Sequence, residues 1–458
     1  MQKSFTRPIF LCYNQKRNQS EDSRGAAEKR EFMEQVRVGF VGVGGRGRGL
    51  IMMMLDHMSI AKITAICDLY PDRVENMQKL VQEKQGYTPF GTQDYHTLFD
   101  RDDVDCIVCP AAWSAHTQIA LDCMNAGMPV GMEVGGAHSL EECFELVRTY
   151  ERTKSPIMLL ENCCYGQEEM TILNMIKKGV FGEVVHCEGG YRHDLRDEVA
   201  MGHVNRHYRL DQYLNRNGEL YPTHELGPIA KYLNINRGNR MLMLTSMASK
   251  SVGINEWIRT RRGEDFENAH TTFTQGDVVT TCIKCAHGET IVLTHDTSLP
   301  RPYSRGNLVE GTKGIWSEEK HGIYLDGTGE SYEWGESYRD ISEFYEQYQH
   351  PLWRDFDAVG GHGGIDLLVL QAFFEAVRDK TPMPIDVYDM AAWMSITPLS
   401  EQSIAMGSMP VAIPDFTNGR WCRREPFARG KYCLEDVCEE CFEKKEPKSE
   451  KEETAAAN

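Results

Sequence analysis

The sequence lacks any apolar run of the roughly 20 residues that a membrane-spanning helix requires. Near the N-terminus, "RPIFLCY" is too short for the hydrophobic core of a secretory signal, and no small-residue cleavage site follows it. We therefore expect a cytoplasmic protein that has no membrane partner.

Basic residues are in the minority. The chain has 50 Lys and Arg against 68 Asp and Glu, which gives a formal net charge of −18. Nucleic acids and anionic membranes bind basic surfaces. The charge balance therefore argues against both as partners and indicates a solvated acidic surface.

The 15 cysteines lack the regular spacing of a small secreted disulfide framework. Most fall in apolar segments, and we interpret them as reduced core thiols. Zinc is the alternative for Cys433, Cys438 and Cys441, with Cys422 as the fourth ligand, but this spacing is loose. We therefore predict no metal site.

The order of apolar segments predicts two domains, which a length of 458 residues with 41% hydrophobic content can support. Residues 36–162 alternate short apolar strands with helices, as in a doubly wound parallel sheet. Residues 163–422 contain longer strands, including the hairpin candidate "GDVVTTCIKCAHGETIVLTHD", and closing helices. We predict a flexible extension for residues 1–35 and a charged, Cys-containing tail for residues 423–458. The predicted fold is α/β: an N-terminal Rossmann domain, then an α+β domain with a large, mostly antiparallel sheet.

A glycine-rich turn, "GVGGRG", follows the first predicted strand and opens a helix. It fits G-x-G-x-x-G through Gly42, Gly44 and Gly47, and this context is the one in which that motif is informative. Asp68 ends the second strand, where a carboxylate can bind ribose hydroxyls and repel a 2′-phosphate. A glycine turn without a ligand is the alternative, but the three features together favour NAD.

This nucleotide-binding half and the strand-rich half after it resemble the glucose-fructose oxidoreductase and inositol dehydrogenase superfamily. Sugar dehydrogenases of that superfamily commonly carry Glu-Lys-Pro after the fifth strand, and the Lys helps to move the hydroxyl proton. Here "GMEVGG" places Val134 after Glu133, so the Lys is absent. We infer that the site has been rebuilt around another proton carrier.

Motifs of the second half resemble glycoside hydrolase family 109, the NAD-dependent α-N-acetylgalactosaminidases. They include "GGYRHDLR", "YPTHELGP", "INRGNR" and "IPDFTNGRW", and the resemblance runs from Val36 to Trp421. It implies hydrolysis of a small-molecule N-acetylgalactosaminide without net oxidation. A hydride passes from the sugar C3 to tightly bound NAD, the C2 proton and the glycosidic oxygen leave, water adds, and the hydride returns. The superfamily also implies a homo-oligomer that pairs through the C-terminal sheet.

The family resemblance assigns roles to individual residues. His224 would carry the O3 proton, because imidazole titrates near neutral pH. Tyr303 would be the base at C2. Arg301 and Arg305 would lower its pKa if all three residues share one face of a strand, an inference that fails in a loop. The implied substrate-binding residues are Tyr191, Arg209, Tyr221, Pro222, Thr223, His224 and Tyr303. The implied cofactor-binding residues are Gly42, Gly44, Gly45, Arg46, Gly47, Asp68, Trp113, Ser114, Ala115, His116, Glu133, Val134 and Asn162.

One residue departs from the family pattern. A small residue is expected after the His of "PTH", but Glu225 stands there, and its carboxylate would raise the pKa of His224 or alter the pocket. In "GGHGG", Gly360–Gly364, we interpret His362 as structural, with an active-site position as the alternative. Two other functions are retained: a sugar dehydrogenase, which would form net NADH, and a non-catalytic NAD-binding sensor.

Overall fold

Two sheets organise the chain in the computed structural model, which describes residues 35–328, 337–423 and 429–442. Apart from residue 35, the predicted N-terminal extension lies outside the described residues. Much of the predicted C-terminal tail lies outside them as well.

The first sheet has six strands in the order β3-β2-β1-β4-β5-β6, and its neighbouring strands run parallel. The strands are β1 (Val36–Val41), β2 (Ala61–Cys67), β3 (Phe90–Thr92), β4 (Cys106–Cys109), β5 (Val130–Met132) and β6 (Ile157–Leu159). The helices between them are α1 (Gly45–His57), α2 (Pro71–Gln85), α3 (Trp113–Asn125) and α4 (Leu140–Thr153). The strand order reverses between β1 and β4, the position at which such sheets bind dinucleotides. The predicted doubly wound sheet is confirmed.

Helix α2 shows how the local sequence sets its boundaries. Pro71 occupies the first helical turn, where its missing N–H is tolerated. Gly86 follows the last helical residue with φ 77°, a left-handed conformation that glycine adopts without strain. The helix predicted between this Pro and this Gly is therefore confirmed.

The second sheet has nine strands in the order β14-β13-β12-β11-β7-β10-β9-β8-β15. The strands are β7 (Val184–Arg192), β8 (Met241–Ala248), β9 (Val278–Cys285), β10 (Thr290–Asp296), β11 (Leu308–Gly311), β12 (Gly314–Ser317), β13 (Gly322–Leu325), β14 (Arg339–Asp340) and β15 (Val411–Ala412). Strands β9 and β10 form the predicted antiparallel hairpin. Among the described strands, β7 and β10 pair in parallel and the other neighbours pair antiparallel. The predicted mostly antiparallel sheet is confirmed.

Helices of the second half connect and cover this sheet. They are α5 (Gln167–Lys177), α6 (Arg196–Ala200), α7 (Gly202–Asn205), α8 (Arg209–Asn215), α9 (Thr223–Tyr232), α10 (Gly253–Arg262), α11 (Tyr345–Tyr348), α12 (Ile365–Asp379), α13 (Val387–Met394) and α14 (Ile396–Ala405). Helix α9 packs against β7 and carries the "THELGP" segment at its start.

The segment around α12 and α13 returns to the first sheet. Leu159 donates its N–H to the carbonyl of Ile385 at 3.3 Å, and Ala137 donates to that of Met394 at 3.2 Å. Helix α12 packs against α1 and β1. This packing brings the start of α12 next to the glycine-rich turn.

The described helices include none that is both long enough and apolar enough to cross a membrane. The described cysteines are free thiols, and most are buried. Near the C-terminus, the sulfurs of Cys438 and Cys441 lie 2.7 Å apart, whereas Cys433 contacts the carboxylates of Glu435 and Asp436.

Candidate active site

The glycine-rich turn lies between β1 and α1 at the carboxyl edge of the first sheet. Gly42 has φ 94°, and a Cβ there would lie 2.5 Å from the Ala111 Cα. A Cβ on Gly47 would lie 2.2 Å from the Gly42 carbonyl oxygen, so both positions require glycine. By contrast, a Cβ on Gly45 would meet nothing within 4 Å. The turn is therefore packed closely against the protein at Gly42 and Gly47, whereas its surface at Gly45 is unobstructed.

Asp68 lies at the same carboxyl edge of the first sheet, directly after the neighbouring strand β2. Its carboxylate accepts hydrogen bonds from the N–H groups of Val43 at 2.8 Å and Tyr70 at 3.0 Å. These bonds fix an anionic acceptor beside the open face of the turn. A tight glycine cradle at a helix N-terminus with a fixed acid on the next strand matches the pyrophosphate and ribose of a dinucleotide. The residues present therefore fit NAD.

Arg46 connects this turn to distant parts of the chain. Its guanidinium donates to Glu133 at 2.9 Å and to the two carboxylate oxygens of Asp366 at 2.7 and 2.9 Å. Asp366 also accepts from the Asn162 amide at 2.6 Å and contacts His362 Nδ1 at 2.8 Å. Burial alone would raise the pKa of Asp366, but the bonds from His362 and Arg46 outweigh it and hold that pKa well below its usual value.

The start of α3 adds the next group of predicted cofactor residues, Trp113 to His116. The His116 ring is buried and bonds through Nε2 to the Ala111 carbonyl at 2.9 Å. Burial lowers its pKa to about 4, so the ring is neutral. Its hydrogen bond fixes the backbone that follows β4. Val134 is buried, and its N–H donates to Glu133 at 3.2 Å.

Predicted cofactor and substrate residues meet in one aromatic cluster. The Tyr221 ring lies 5.3 Å from Trp113, 4.5 Å from Tyr191 and 4.8 Å from His224, measured between centroids. The Arg209 guanidinium lies 5.3 Å from the centroids of both Trp113 and Tyr221, within the range of cation–π attraction. The fold thus brings together residues that are up to 111 positions apart in sequence, from 113 to 224.

His224 has a carboxylate partner that the sequence did not reveal. Its Nδ1 lies 2.7 Å from Glu161 Oε1, and the Glu161 side chain is fully buried. Burial alone would raise the pKa of Glu161, but the charge and hydrogen bond of His224 outweigh it and hold that pKa below its usual value. The bond to Nδ1 leaves Nε2 to act on other groups. Glu161 directly precedes the predicted cofactor residue Asn162, and this proximity was the available signal.

A cavity of about 530 Å³ contains the predicted catalytic residues. His224 and Tyr303 line it together with Asn162, and His362 also reaches it. The remaining lining residues include Glu168, Glu169, Arg305, Glu318, His321, Tyr345 and Trp353. The alternative that placed His362 at the active site is thus supported by its position.

The expected lowering of the Tyr303 pKa is wrong. The side chain is 48% exposed at the cavity, yet the surrounding protein raises its pKa, and Arg305 lowers it by a smaller amount. Residues 301–303 form a loop, in which Arg301 pairs with Asp296. Arg305 pairs with Glu169 at 2.6 Å. Both guanidinium groups therefore form ion pairs with carboxylates and not with the Tyr303 phenol.

Glu225 does not line the cavity among the described residues. It is fully buried on α9, where its Cβ lies 2.6 Å from the position that a Cβ on Gly189 would take. Burial, reinforced by the nearby Glu219, raises the pKa of Glu225 well above its usual value. Its neighbours Pro222 and Thr223 begin the same helix, and Thr223 is fully buried.

One three-residue set with metal-ligand chemistry occurs among the described residues: Glu161, Cys163 and His224, with ligand atoms within 4.8 Å of one another. The hydrogen bond between Glu161 and His224 accounts for the approach of two of them. Burial raises the pKa of the Cys163 thiol well above its usual value, which disfavours the thiolate that binds metals.

The fold and the site define a class of NAD-binding proteins related to oxidoreductases. Residues 36–160 match the family model "Oxidoreductase family, NAD-binding Rossmann fold". Residues 165–423 match "Glycosyl hydrolase 109, C-terminal domain". The chain therefore belongs to the glycosyl hydrolase 109 family.

Relatives of known name agree with this membership. The chain is 38% identical over 448 residues to an alpha-N-acetylgalactosaminidase of Tannerella forsythia, covering 92% of this chain and 94% of that protein. It is 38% identical over 405 residues to an alpha-N-acetylgalactosaminidase of Shewanella oneidensis, with 86% and 88% covered.

Solved structures share the fold at lower identity. Levoglucosan dehydrogenase in complex with NADH and levoglucosan matches with a TM-score of 0.62 at 16% identity, covering 83% of this chain and 100% of that chain. An oxidoreductase from Agrobacterium radiobacter in complex with NAD+, L-tartaric acid and magnesium matches with a TM-score of 0.59 at 19% identity, with 83% and 98% covered.

Proposed function

We propose that this chain is a glycosidase that cleaves terminal, α-linked N-acetylgalactosaminides and uses NAD as a recycled cofactor. The observation that carries the proposal is the 2.7 Å contact of His224 with the buried Glu161, since His224 lines the cavity together with Asn162. Val134 follows Glu133, where dehydrogenases of this fold carry Lys, so His224 supplies the missing proton carrier. The names of the relatives support the sugar and the linkage.

The proposed cofactor site uses the turn at Gly42–Gly47 for the pyrophosphate and Asp68 for the ribose. Bound NAD would supply reversible hydride acceptance at the sugar C3, and a ketone there would make the C2 proton acidic. Asn162, Glu133 and Arg46 belong to one bonded network beside this turn, and we assign them to positioning the cofactor. The open space at Gly45 supports this assignment because a phosphate needs close approach to the backbone.

His224 takes the proton from the sugar O3 and returns it at the end of the cycle. The Glu161 carboxylate fixes the ring tautomer through Nδ1 and stabilises the positive charge that the ring gains. Glu161 is therefore a positioning residue. The arrangement resembles other histidine bases that are oriented by a buried carboxylate.

Tyr303 lines the same cavity, and we assign it as the base that removes the C2 proton. Because its pKa is raised, the phenolate is scarce at neutral pH, and the reaction depends on the acidity that the C3 ketone gives to the C2 proton. Tyr191 and Tyr221 pack against His224, and Arg209 lies over both tyrosine rings. We assign these three residues to binding the sugar, and Pro222 and Thr223 to the start of the helix that presents His224.

The proposal is tested with purified protein, 4-nitrophenyl α-N-acetylgalactosaminide and NAD, with nitrophenol and NADH followed together. Many turnovers of nitrophenol without accumulating NADH are expected. Net NADH with an intact glycosidic bond would instead establish a sugar dehydrogenase. NAD binding without turnover on this or related sugars would favour the sensor.

We further propose that the chain forms a homo-oligomer through the open face of its second sheet. Exposed apolar side chains on β7 and β8 support this: Val185 is 47% exposed and Met247 is 66% exposed. The expected mass from light scattering is a multiple of 52.2 kDa. A monomer at micromolar concentration would contradict it.

A cytoplasmic location is also proposed. The free, mostly buried thiols of the described residues fit a reducing compartment. Fractionation of the native host with an antibody against the chain tests this, and recovery from the periplasm or medium would overturn it.

A further inference from the structure

The elimination step leaves one proton unassigned. When the C1–O bond breaks, the departing glycosidic oxygen takes the bonding electron pair and needs a proton unless it is an acidic phenol. His224 and Tyr303 are already assigned to O3 and C2. A third proton carrier must therefore reach the cavity.

His362 reaches this cavity from the glycine loop Gly360–Gly364. Its backbone has φ 51° and ψ 41°, a left-handed conformation that is uncommon for a residue with a side chain and that clusters at functional sites. Its Nδ1 lies 2.8 Å from Asp366 Oδ2. Among the described residues no partner contacts its Nε2, and the side chain is 57% exposed.

Asp366 couples this histidine to the cofactor turn. The same carboxylate that holds His362 receives both outer nitrogens of the Arg46 guanidinium and the amide of Asn162. The side chain of Asp366 is 3% exposed, so the arrangement is buried on that side. One buried carboxylate thus contacts both the cofactor turn and His362.

Several other titratable groups of the cavity have partners of their own. Glu169 pairs with Arg305 at 2.6 Å, and its side chain is only 3% exposed. Glu318 accepts from the N–H of Asn307 at 2.8 Å, and His321 contacts Glu168 at 3.5 Å. None of these residues has a free imidazole nitrogen backed by a buried carboxylate, as His362 has.

We propose that His362 is the general acid that protonates the departing glycosidic oxygen, an assignment that rests on the proposed function. In this step the C2–H bond breaks and its proton passes to Tyr303. The C–H electron pair forms the C1–C2 double bond, the C1–O pair moves to the leaving oxygen, and the His362 imidazolium gives its Nε2 proton to that oxygen. When water then adds to C1, neutral His362 takes the proton of the water and is restored, while Tyr303 returns the proton to C2.

The test compares two leaving groups in two matched variants. Nitrophenol leaves without a proton donor, whereas methanol does not, so we use 4-nitrophenyl and methyl α-N-acetylgalactosaminide. Asn tolerates the left-handed region, so H362N preserves the backbone. H321N is the matched control, because His321 lines the same cavity and also has positive φ, 47°.

For H362N we expect kcat on the methyl glycoside to fall by about 10²-fold or more, which is the usual contribution of general acid catalysis. On the nitrophenyl glycoside we expect kcat to fall by less than about fivefold. H321N is expected to change both rates by the same small factor. During turnover of the methyl glycoside, H362N is also expected to accumulate absorbance of the reduced cofactor, since oxidation at C3 precedes cleavage.

Equal losses on the two glycosides, or no loss on either, would overturn the role of His362. If H362N no longer reduces the cofactor at all, H362G provides the same comparison, because glycine suits this backbone conformation. A wild-type protein that cleaves neither glycoside would instead refute the proposed function, so the two failures are distinguishable.

Discussion

Glu225 is expected to make the protein less stable as the pH rises. The side chain is fully buried, and neither carboxylate oxygen has a hydrogen-bond partner among the described residues. Burial and the neighbouring Glu219 raise its pKa. A carboxyl with a raised folded-state pKa holds a proton that the unfolded chain releases. Stability is therefore greatest below the ordinary Glu pKa of about 4.3 and declines above it.

The magnitude follows from that proton. Keeping a Glu of ordinary pKa protonated at pH 7 costs about 3.7 kcal/mol, which is an upper bound on the loss at that pH. The variant E225Q has nearly the same shape and does not titrate. We expect it to be more stable than wild type at pH 7 by up to about 3.7 kcal/mol, with the difference shrinking towards zero near pH 4.5.

Thermal melts and urea unfolding at pH 5, 6, 7 and 8 measure this difference. Glu183 is exposed at the edge of β7, so E183Q is the control for losing one negative charge. The control is expected to show a small difference that barely changes with pH. A gain in E225Q that does not depend on pH, or a loss of stability at pH 8, would refute the reasoning.

Three further predictions concern the site and the assembly. E161Q is expected to lower kcat by roughly 10²-fold or more with little change in KM, because His224 loses the carboxylate that fixes its tautomer. Steady-state kinetics measure both constants, and an unchanged kcat would contradict the positioning role of Glu161. Because the pKa of Tyr303 is raised, the phenolate fraction and kcat/KM are expected to rise about tenfold per pH unit between pH 7 and 9. The variant Y303F is expected to lose this slope and most of the activity. A slope retained in Y303F would exclude Tyr303 as the base. M247E is expected to dissociate the oligomer, which light scattering measures as a lower mass. The control L69E changes a residue that is 81% exposed beside the first sheet, and it is expected to leave the mass unchanged. Equal masses for the two variants would contradict the sheet interface.

Local sequence patterns predicted the elements because each pattern reports local physics. The alternation of apolar strands and helices predicted the six-stranded parallel sheet, and the spacing of "GDVVTTCIKCAHGETIVLTHD" predicted the β9–β10 hairpin. Gly42 and Gly47 stand where a side chain would collide with backbone, so the motif itself records the geometry of the turn.

Pairings between distant side chains were not predictable in this way. Glu161 and His224 are 63 residues apart, and Arg46 and Asp366 are 320 apart. No local periodicity reports such contacts, because they depend on how the second half packs back on the first sheet. Glu225 shows the same limit, since its sequence position beside His224 suggested the pocket, whereas the helix turns it towards Gly189.

The Tyr303 expectation failed for a related reason. Neighbouring charges in sequence act on a group only if the backbone points them at it. In the loop at 301–303, Arg301 turns to Asp296, and Arg305 turns to Glu169. Desolvation of the phenol by the surrounding protein then outweighs Arg305 and raises the pKa of Tyr303.

In the proposed reaction the glycosidic bond breaks by elimination across C1 and C2 and not by direct displacement. The most direct measurement is to run the cleavage reaction in deuterium oxide and to analyse the released N-acetylgalactosamine by mass spectrometry and NMR. Elimination places one deuterium at C2, since the proton removed there exchanges with solvent before it returns. Cleavage that leaves the C2 position fully protonated would exclude elimination.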